Sequence, residues 1–293
     1  MTVENLKKVF LSKLAPEDFF VLLACATGKD KAFLLGHPKY ELSQKTLSQA
    51  KSFFTRRQKH EPVAYIVGEK EFYGRAFRVT PATLIPRPET ELIVELALNK
   101  ISNFQFLISN ELQVVDVGTG SGNIIISIAK EVQKVLPADC SLFFGIDISS
   151  PALSIAKENA KMHHLEKNIT FLEGDLLVPY LDRARETKKD ILITANLPYL
   201  SHTIYRNTED DVRLFEPRSA LQSEKEGLDH YFRLLEMIST HRTSFLSITL
   251  FLEISPEQKS ALSGILFSFF PQATTRIHKD LAQRDRVMEI RLS

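Results

Sequence analysis

The sequence predicts an α/β protein whose doubly wound, mostly parallel sheet follows a small helical domain and a linking β-hairpin. Three observations carry that expectation. Residues 1–65 hold amphipathic helical stripes and no strand signal. Glu71-Phe72-Tyr73-Gly74-Arg75-Ala76-Phe77-Arg78-Val79 alternates around a glycine, the pattern of a short hairpin. From residue 112 onward, short apolar runs alternate with helical stretches, which implies βαβ units. A length of 293 residues suggests two domains at a soft prior of about 150 residues each. The division expected is a helical domain at 1–70, the hairpin linker at 71–82 and the α/β domain at 83–293.

Leu6, Val9, Phe10 and Leu14 give the first helical stripe. A second carries Phe19, Phe20, Leu22 and Leu23 and is closed by Gly28, and Ser43 is placed to cap a helix running through Phe54. Strands are expected at 112–117, 142–147, 169–172, 190–195, 245–254, 273–277 and 287–292. Helices fall between them at 124–132 and 229–239. Two more are opened by Ser149-Ser150-Pro151 and Ser255-Pro256, each with proline in the first turn, where its missing N–H costs nothing.

Composition removes several function classes. Hydrophobic residues make up 44% and charged residues 25%, the mix of an ordinary globular protein. Two cysteines, Cys25 and Cys140, cannot build a disulfide framework, and no Cys/His cluster has zinc spacing, so no metal is expected. Apolar runs stay far short of a membrane span, and the first residues have no signal-peptide core. A cytoplasmic setting without membrane association is expected. The net charge of +1 hides an asymmetry: residues 1–80 carry 14 Lys and Arg against 8 Asp and Glu, while the remainder is net acidic. A basic helical head suits a charged partner.

Asp116-Val117-Gly118-Thr119-Gly120-Ser121-Gly122 follows a strand and opens a helix, where ligands of such sheets bind. Asn123 breaks the dinucleotide fingerprint, and the lysine of a phosphate loop is absent. S-adenosylmethionine remains as the occupant. Asp147, at the end of the next strand, can accept both ribose hydroxyls; alternatively it is only the acid before the Ser149-Ser150 helix start. Asp175 and Leu176 follow the third strand, placed for the edge and face of the adenine.

The fourth strand ends in Asn196-Leu197-Pro198-Tyr199. An amide or aromatic amino nitrogen is a poor nucleophile because its lone pair is delocalised. Holding both of its N–H bonds with acceptors can turn that lone pair toward a methyl group. Asn196 Oδ1 and the Leu197 carbonyl are the expected acceptors. Pro198 stiffens the loop, and Tyr199 offers a flat face for a planar target. Asn-x-Pro is also an ordinary turn signal.

These residues are accompanied by more specific ones. Ile85-Pro86-Arg87-Pro88-Glu89-Thr90-Glu91-Leu92, with Glu61-Pro62-Val63-Ala64-Tyr65-Ile66-Val67-Gly68 upstream and Phe215-Glu216-Pro217-Arg218-Ser219-Ala220-Leu221 and Arg284-Asp285-Arg286-Val287 downstream, resembles the release-factor glutamine N5-methyltransferases (the HemK/PrmC family) over almost the whole chain. The resemblance implies a Rossmann-like methyltransferase fold. It also implies methylation of the glutamine in the Gly-Gly-Gln motif of class 1 peptide chain release factors, in support of translation termination. Carried over, Gly118, Thr119, Gly120, Ser121, Gly122, Asp147 and Asn196 would contact the cofactor, with Leu84 and Arg87 closing over it. Asn196 through Tyr199 would hold the substrate amide, and the domain at 1–70 would recognise the release factor. The chain departs from the family pattern at Leu197, where proline is usual and where only the carbonyl is needed. It departs also at Leu176, where an aromatic residue is frequent, and at Gln283 and Ser223-Glu224-Lys225, where glycine is.

A monomer that needs no direct nucleic acid is expected. Two other readings compete. Asn-Leu-Pro-Tyr also looks like the motif of rRNA dimethyladenosine enzymes, so adenine-N6 methylation of RNA or DNA is an alternative; the near-neutral charge lacks the basic stripe that phosphates demand. A non-catalytic, cofactor-binding partner of release factors is the other.

Overall fold

The computed structural model describes residues 1–102, 112–134, 142–183 and 189–292, which form two compact units. The first contains Met1–Glu69 together with Thr208–Glu216; the second contains Lys70–Asn207 and Pro217–Ser293. Cys25 is a free thiol, while Cys140 lies outside the described residues.

The first unit is helical: α1 (Val3–Phe10), α2 (Pro16–Thr27), α3 (Lys31–Gly36), α4 (Gln44–Arg57) and α5 (Val63–Val67). Local chemistry sets these ends. Thr2, Asp30 and Ser43 each cap a helix with a side-chain oxygen on a free backbone N–H, and Gly28 closes α2 in the left-handed conformation. Leu6, Phe19, Leu22, Leu23 and Phe54 are buried together at its centre. The segment Thr208–Glu216, far away in sequence, belongs to this unit, and Arg57 is one of its links. That guanidinium donates from Nε to Asp18 and from Nη1 to Asp211, both at 2.6 Å.

From Lys70 onward the second unit opens with the hairpin of β1 (Glu69–Phe72) and β2 (Arg75–Arg78). Tyr73 and Gly74 both have positive φ, the two-residue turn whose twist matches antiparallel strands. The hairpin is built into this unit. Phe72 and Phe77 are buried in its core, and Asn159 pairs through its side-chain amide with both the N–H and the carbonyl of Arg78. His163 also meets the Ala76 carbonyl.

The remaining elements are α6 (Glu91–Ser102), β3 (Leu112–Val117), α7 (Asn123–Val132), β4 (Phe143–Asp147), α8 (Ser150–Met162), β5 (Ile169–Glu173), α9 (Val178–Leu181) and β6 (Lys189–Ala195). They continue with α10 (His202–Arg206), α11 (Asp210–Phe215, in the first unit), α12 (Glu224–Gly227), α13 (Asp229–Thr240), β7 (Phe245–Glu253), α14 (Lys259–Phe269), β8 (Thr274–Lys279) and β9 (Asp285–Leu292). β3 to β9 make one sheet in the order β5-β4-β3-β6-β7-β9-β8, parallel except for the pairings of β9. All seven expected strands are present. Both faces are covered, which is why β3, β4 and β6 read as continuous apolar runs rather than alternating ones. The chain moves from β3 outward to β4 on one side and returns to β6 on the other, so the strand order reverses between β3 and β6. A ligand crevice opens at the carboxyl ends of such a switch point.

Candidate active site

Four strand ends converge on one cavity of about 340 Å³. β3 delivers Gly118 to Ser121, β4 delivers Asp147 and Ile148, β5 delivers Gly174 to Leu176, and β6 delivers Asn196 to Pro198. Leu84, Arg87 and Thr90, from the segment before α6, complete the wall described here. The structure therefore brings together nearly every residue singled out in the sequence. Gly122 and Tyr199 are not among the lining residues.

The glycine loop owes its shape to positive φ at Gly118, Gly120 and Gly122. At Gly122 a Cβ would fall 2.8 Å from Ile126 Cδ1 and 3.3 Å from the Ala156 Cβ, so this glycine lets α7 pack closely on α8. At Gly118 a Cβ would fall 3.0 Å from Leu197 Cδ2.

Two carboxylates support the loop from below. Asp116 is fully buried on β3; Thr119 and Thr194 donate their hydroxyls to its two oxygens at 2.7 and 2.8 Å. Burial pushes its carboxyl up to about 7, against these two hydrogen bonds. Asp147 accepts from Gly120 N–H at 2.8 Å and from Ser149 N–H at 2.9 Å. It thus anchors the loop and the start of α8 while lining the cavity. Burial raises its pKa as well.

At the end of β6, Asn196 Nδ2 donates to Thr90 Oγ1 at 3.2 Å, and Thr90 donates to Glu253 Oε2 at 2.7 Å. Leu197 is buried, and its backbone is hydrogen-bonded to the Tyr231 hydroxyl. Tyr199 is half-buried; its carbonyl accepts from Gln258 Nε2 at 3.0 Å, and burial pushes its phenol up to about 12. Gly227, with φ at 84°, makes room for that carbonyl, since a Cβ there would overlap it.

Asp175 and Leu176 lie on the cavity wall after β5. Asp175 is ion-paired with Arg233 of α13, a partner that the sequence did not announce. Leu176 is buried and holds a positive φ of 48°. Sequence reasoning also missed the roles of Thr90, Thr194 and Glu253. Glu253 did leave a signal: it is a carboxylate in the otherwise apolar run Phe251-Leu252-Glu253-Ile254.

Comparison with known proteins decides the family. The description "PrmC N-terminal domain" matches residues 9–68 and "Methyltransferase domain" matches residues 108–222. The release factor glutamine methyltransferase of Bacillus subtilis is 34% identical over 268 residues, covering 92% of this chain and 88% of that one. That of Enterococcus faecalis is 36% identical over 262 residues, covering 89% and 86%. The chain belongs to the release factor glutamine methyltransferases. As a member of that family it is a methyltransferase. A solved structure, the N-terminal domain of human METTL16 in complex with SAH, has a TM-score of 0.52 at 15% identity and covers 94% of each chain. That likeness concerns the fold alone.

Proposed function

We propose that the protein transfers the methyl group of S-adenosylmethionine to the side-chain amide nitrogen (N5) of the glutamine in the Gly-Gly-Gln motif of class 1 peptide chain release factors. Family membership supports the release factor and the glutamine. The observation that carries the chemistry is Asn196: it lines the cavity beside the glycine loop, and its Oδ1 has no hydrogen-bond partner among the described residues.

The residues present fit the cofactor. The cavity is within the roughly 300–1,000 Å³ of small-molecule sites. Gly118 to Gly122 give a backbone that a ligand can approach closely, and Asp147 keeps lone pairs for ribose hydroxyls. Asp175 and Leu176 would border the adenine, with Leu84 and Arg87 closing over the group. When bound, S-adenosylmethionine supplies a methyl carbon already activated by its sulfonium. The chain's task is then orientation and exclusion of water. Asn196 Oδ1 and the Leu197 carbonyl accept the two N–H bonds of the substrate amide, Pro198 keeps the loop stiff and Tyr199 flanks the planar group. The domain at 1–70 recognises the release factor, and the protein works as a cytoplasmic monomer without direct nucleic acid.

The test is methyl transfer from labelled S-adenosylmethionine to an intact release factor, to its Gly-Gly-Ala variant and to ribosomal RNA in parallel. Label on the intact factor alone supports the proposal. Label on RNA alone would replace it with adenine methylation, and cofactor binding without transfer to any of the three would leave a non-catalytic partner.

A further inference from the structure

An asparagine amide has two ends of nearly the same shape, and only one of them can accept a hydrogen bond. If Asn196 is to hold a substrate N–H, its oxygen must face the cavity. Something must keep it there, because a flipped amide would present two donors to a group that is itself a donor.

The surrounding hydrogen bonds supply the constraint. Thr90 is buried at the end of a 3₁₀ turn, Pro88–Thr90, and Glu253 is buried at the end of β7. Strand β7 pairs with β6, with Leu252 opposite Ala195, so Glu253 follows the strand end beside Asn196. The Thr90 hydroxyl has one proton and spends it on Glu253 Oε2 at 2.7 Å. Its oxygen is then an acceptor toward Asn196, and only the NH₂ end of the amide can meet it, as the 3.2 Å contact from Nδ2 records. Asn196 Oδ1 is left facing away from Thr90, without a partner among the described residues.

We propose that Thr90 and Glu253 are positioning residues that fix which end of the Asn196 amide is offered to the substrate nitrogen. The inference rests on the reading of Asn196 given above. Its direction depends on the charge of Glu253. As a carboxylate, Glu253 must accept from Thr90. As a neutral acid it can donate to Thr90, whose proton is then free to turn to Asn196 and favour the flipped amide. Burial, the first cause, pushes the Glu253 carboxyl up to about 7, opposed by Thr90 and by the Arg286 and Arg87 cations and reinforced by Glu89. Tyr199 feels the same carboxylate, and Tyr231 of α13 donates to the Glu253 peptide carbonyl. Oε1 of Glu253 is buried with no partner among the described residues, so Thr90 is the single hydroxyl fixing this carboxyl.

The experiment compares full-length wild type with Thr90→Val, Thr90→Ser and Glu253→Gln, with methyl transfer to intact release factor and calorimetric cofactor binding measured for each. Thr90→Val keeps the shape and deletes the hydroxyl. It is expected to lower kcat by tenfold or more, the scale of losing one oriented hydrogen-bonding group, while KM for the release factor and the cofactor Kd stay within about twofold of wild type. Thr90→Ser is expected to return kcat to within about threefold. Wild-type kcat should fall on the acid side with a midpoint near pH 7, where burial places the Glu253 carboxyl at about 7, and Glu253→Gln should abolish that limb. Thr90→Val with unchanged kcat overturns the positioning role. So does a loss shared equally by kcat and cofactor affinity, which would mark Thr90 as structural. Absence of any transfer by the wild-type protein overturns the substrate reading and this inference together, and is told apart by that control.

Discussion

Leu197 and Gly118 are packed so closely that a methyl group on the glycine would lie 3.0 Å from Leu197 Cδ2. The contact joins the glycine loop after β3 to the Asn196 loop after β6, strands that are neighbours in register from Leu112–Asp190 to Val117–Ala195. Gly118 also holds φ at 72°, in the left-handed region. Gly118→Ala therefore meets strain of about 1 kcal/mol from the backbone, plus the displacement of Leu197. We expect cofactor affinity to fall by about tenfold in calorimetry, with Tm lowered by only about 2–4 °C. Unchanged affinity would mean that the loop absorbs the methyl group without moving its ligand-facing backbone.

The same packing revises an expectation drawn from the sequence. A proline at 197 keeps the carbonyl, and on that ground alone it should be tolerated. In the structure Leu197 is also a buried core residue whose backbone meets the Tyr231 hydroxyl. Proline has no N–H to give and a smaller side chain. Leu197→Pro is expected to cost about 2 kcal/mol of stability, from one buried hydrogen bond and a partly emptied site. Leu197→Met should cost less than about 1.5 kcal/mol. Chemical denaturation of the two variants checks the order; a proline variant as stable as the methionine one contradicts it.

Asp116 and Glu253 make stability depend on pH in an unusual direction for carboxylates. Burial raises both, from ordinary values of 3.8 and 4.5 to about 7. The folded state then binds these protons more tightly than the unfolded chain. Their contribution is complete below about pH 4 and is lost as pH rises through about 7. Asp116→Asn removes one of the two titrations, so its Tm should decline less steeply than wild type between those limits, whatever its absolute stability. Parallel curves in a thermal melt series would show that Asp116 does not titrate there.

Much of this is legible in the amino-acid sequence. The strands are apolar runs bounded by turn residues, and the glycine loop and Asn196-Leu197-Pro198-Tyr199 sit at their ends because of simple chain order. Pairing across elements was not legible. Nothing local links Thr90 to Glu253, 163 residues apart, or Arg57 to Asp211, 154 residues apart. The short helices α10 to α12 were also missed, since four to six residues carry too little periodicity to read.

Departures from glycine gave one more legible signal. Gln283, exposed in the turn between β8 and β9, has φ at 62°, and Lys225 has φ at 48°. The family resemblance implies glycine at 283 and a glycine within the stretch 223–225, and positive φ at Gln283 and Lys225 explains why. Gln283→Gly relieves the left-handed strain, while glycine's freedom in the unfolded chain offsets part of it. A net gain of about 0.5 kcal/mol is expected. Equilibrium denaturation showing a loss instead would mean that the Gln283 side chain stabilises this turn.

The last prediction concerns Arg57. Its guanidinium joins Asp18 of α2 to Asp211 of α11, and His60 Nδ1 lies 3.3 Å from the second carboxylate of that pair. All of these groups belong to the first unit, so the pairing is one tie between Thr208–Glu216 and helices far earlier in the chain. The Arg57 side chain is 20% exposed, and its partners are 23% and 25% exposed. Charge-assisted bonds of this kind are worth about 1.5–3 kcal/mol when desolvated, and partial exposure reduces them to about 2 kcal/mol for the pair. Arg57→Ala also leaves two carboxylates without their shared cation. Local opening of Thr208–Glu216 should then become more frequent by a factor on the order of ten. Trypsin reports it through cleavage after Arg213, an exposed residue inside the segment that a closed α11 protects. Under conditions where cleavage is slow relative to reclosing, the rate follows the open population. We expect Arg57→Ala to be nicked about tenfold faster there, and Arg57→Lys to fall between, because an ammonium cannot serve both carboxylates with a planar fork. An unchanged cleavage rate in Arg57→Ala would show that apolar contacts, and not this cation, hold the segment in place.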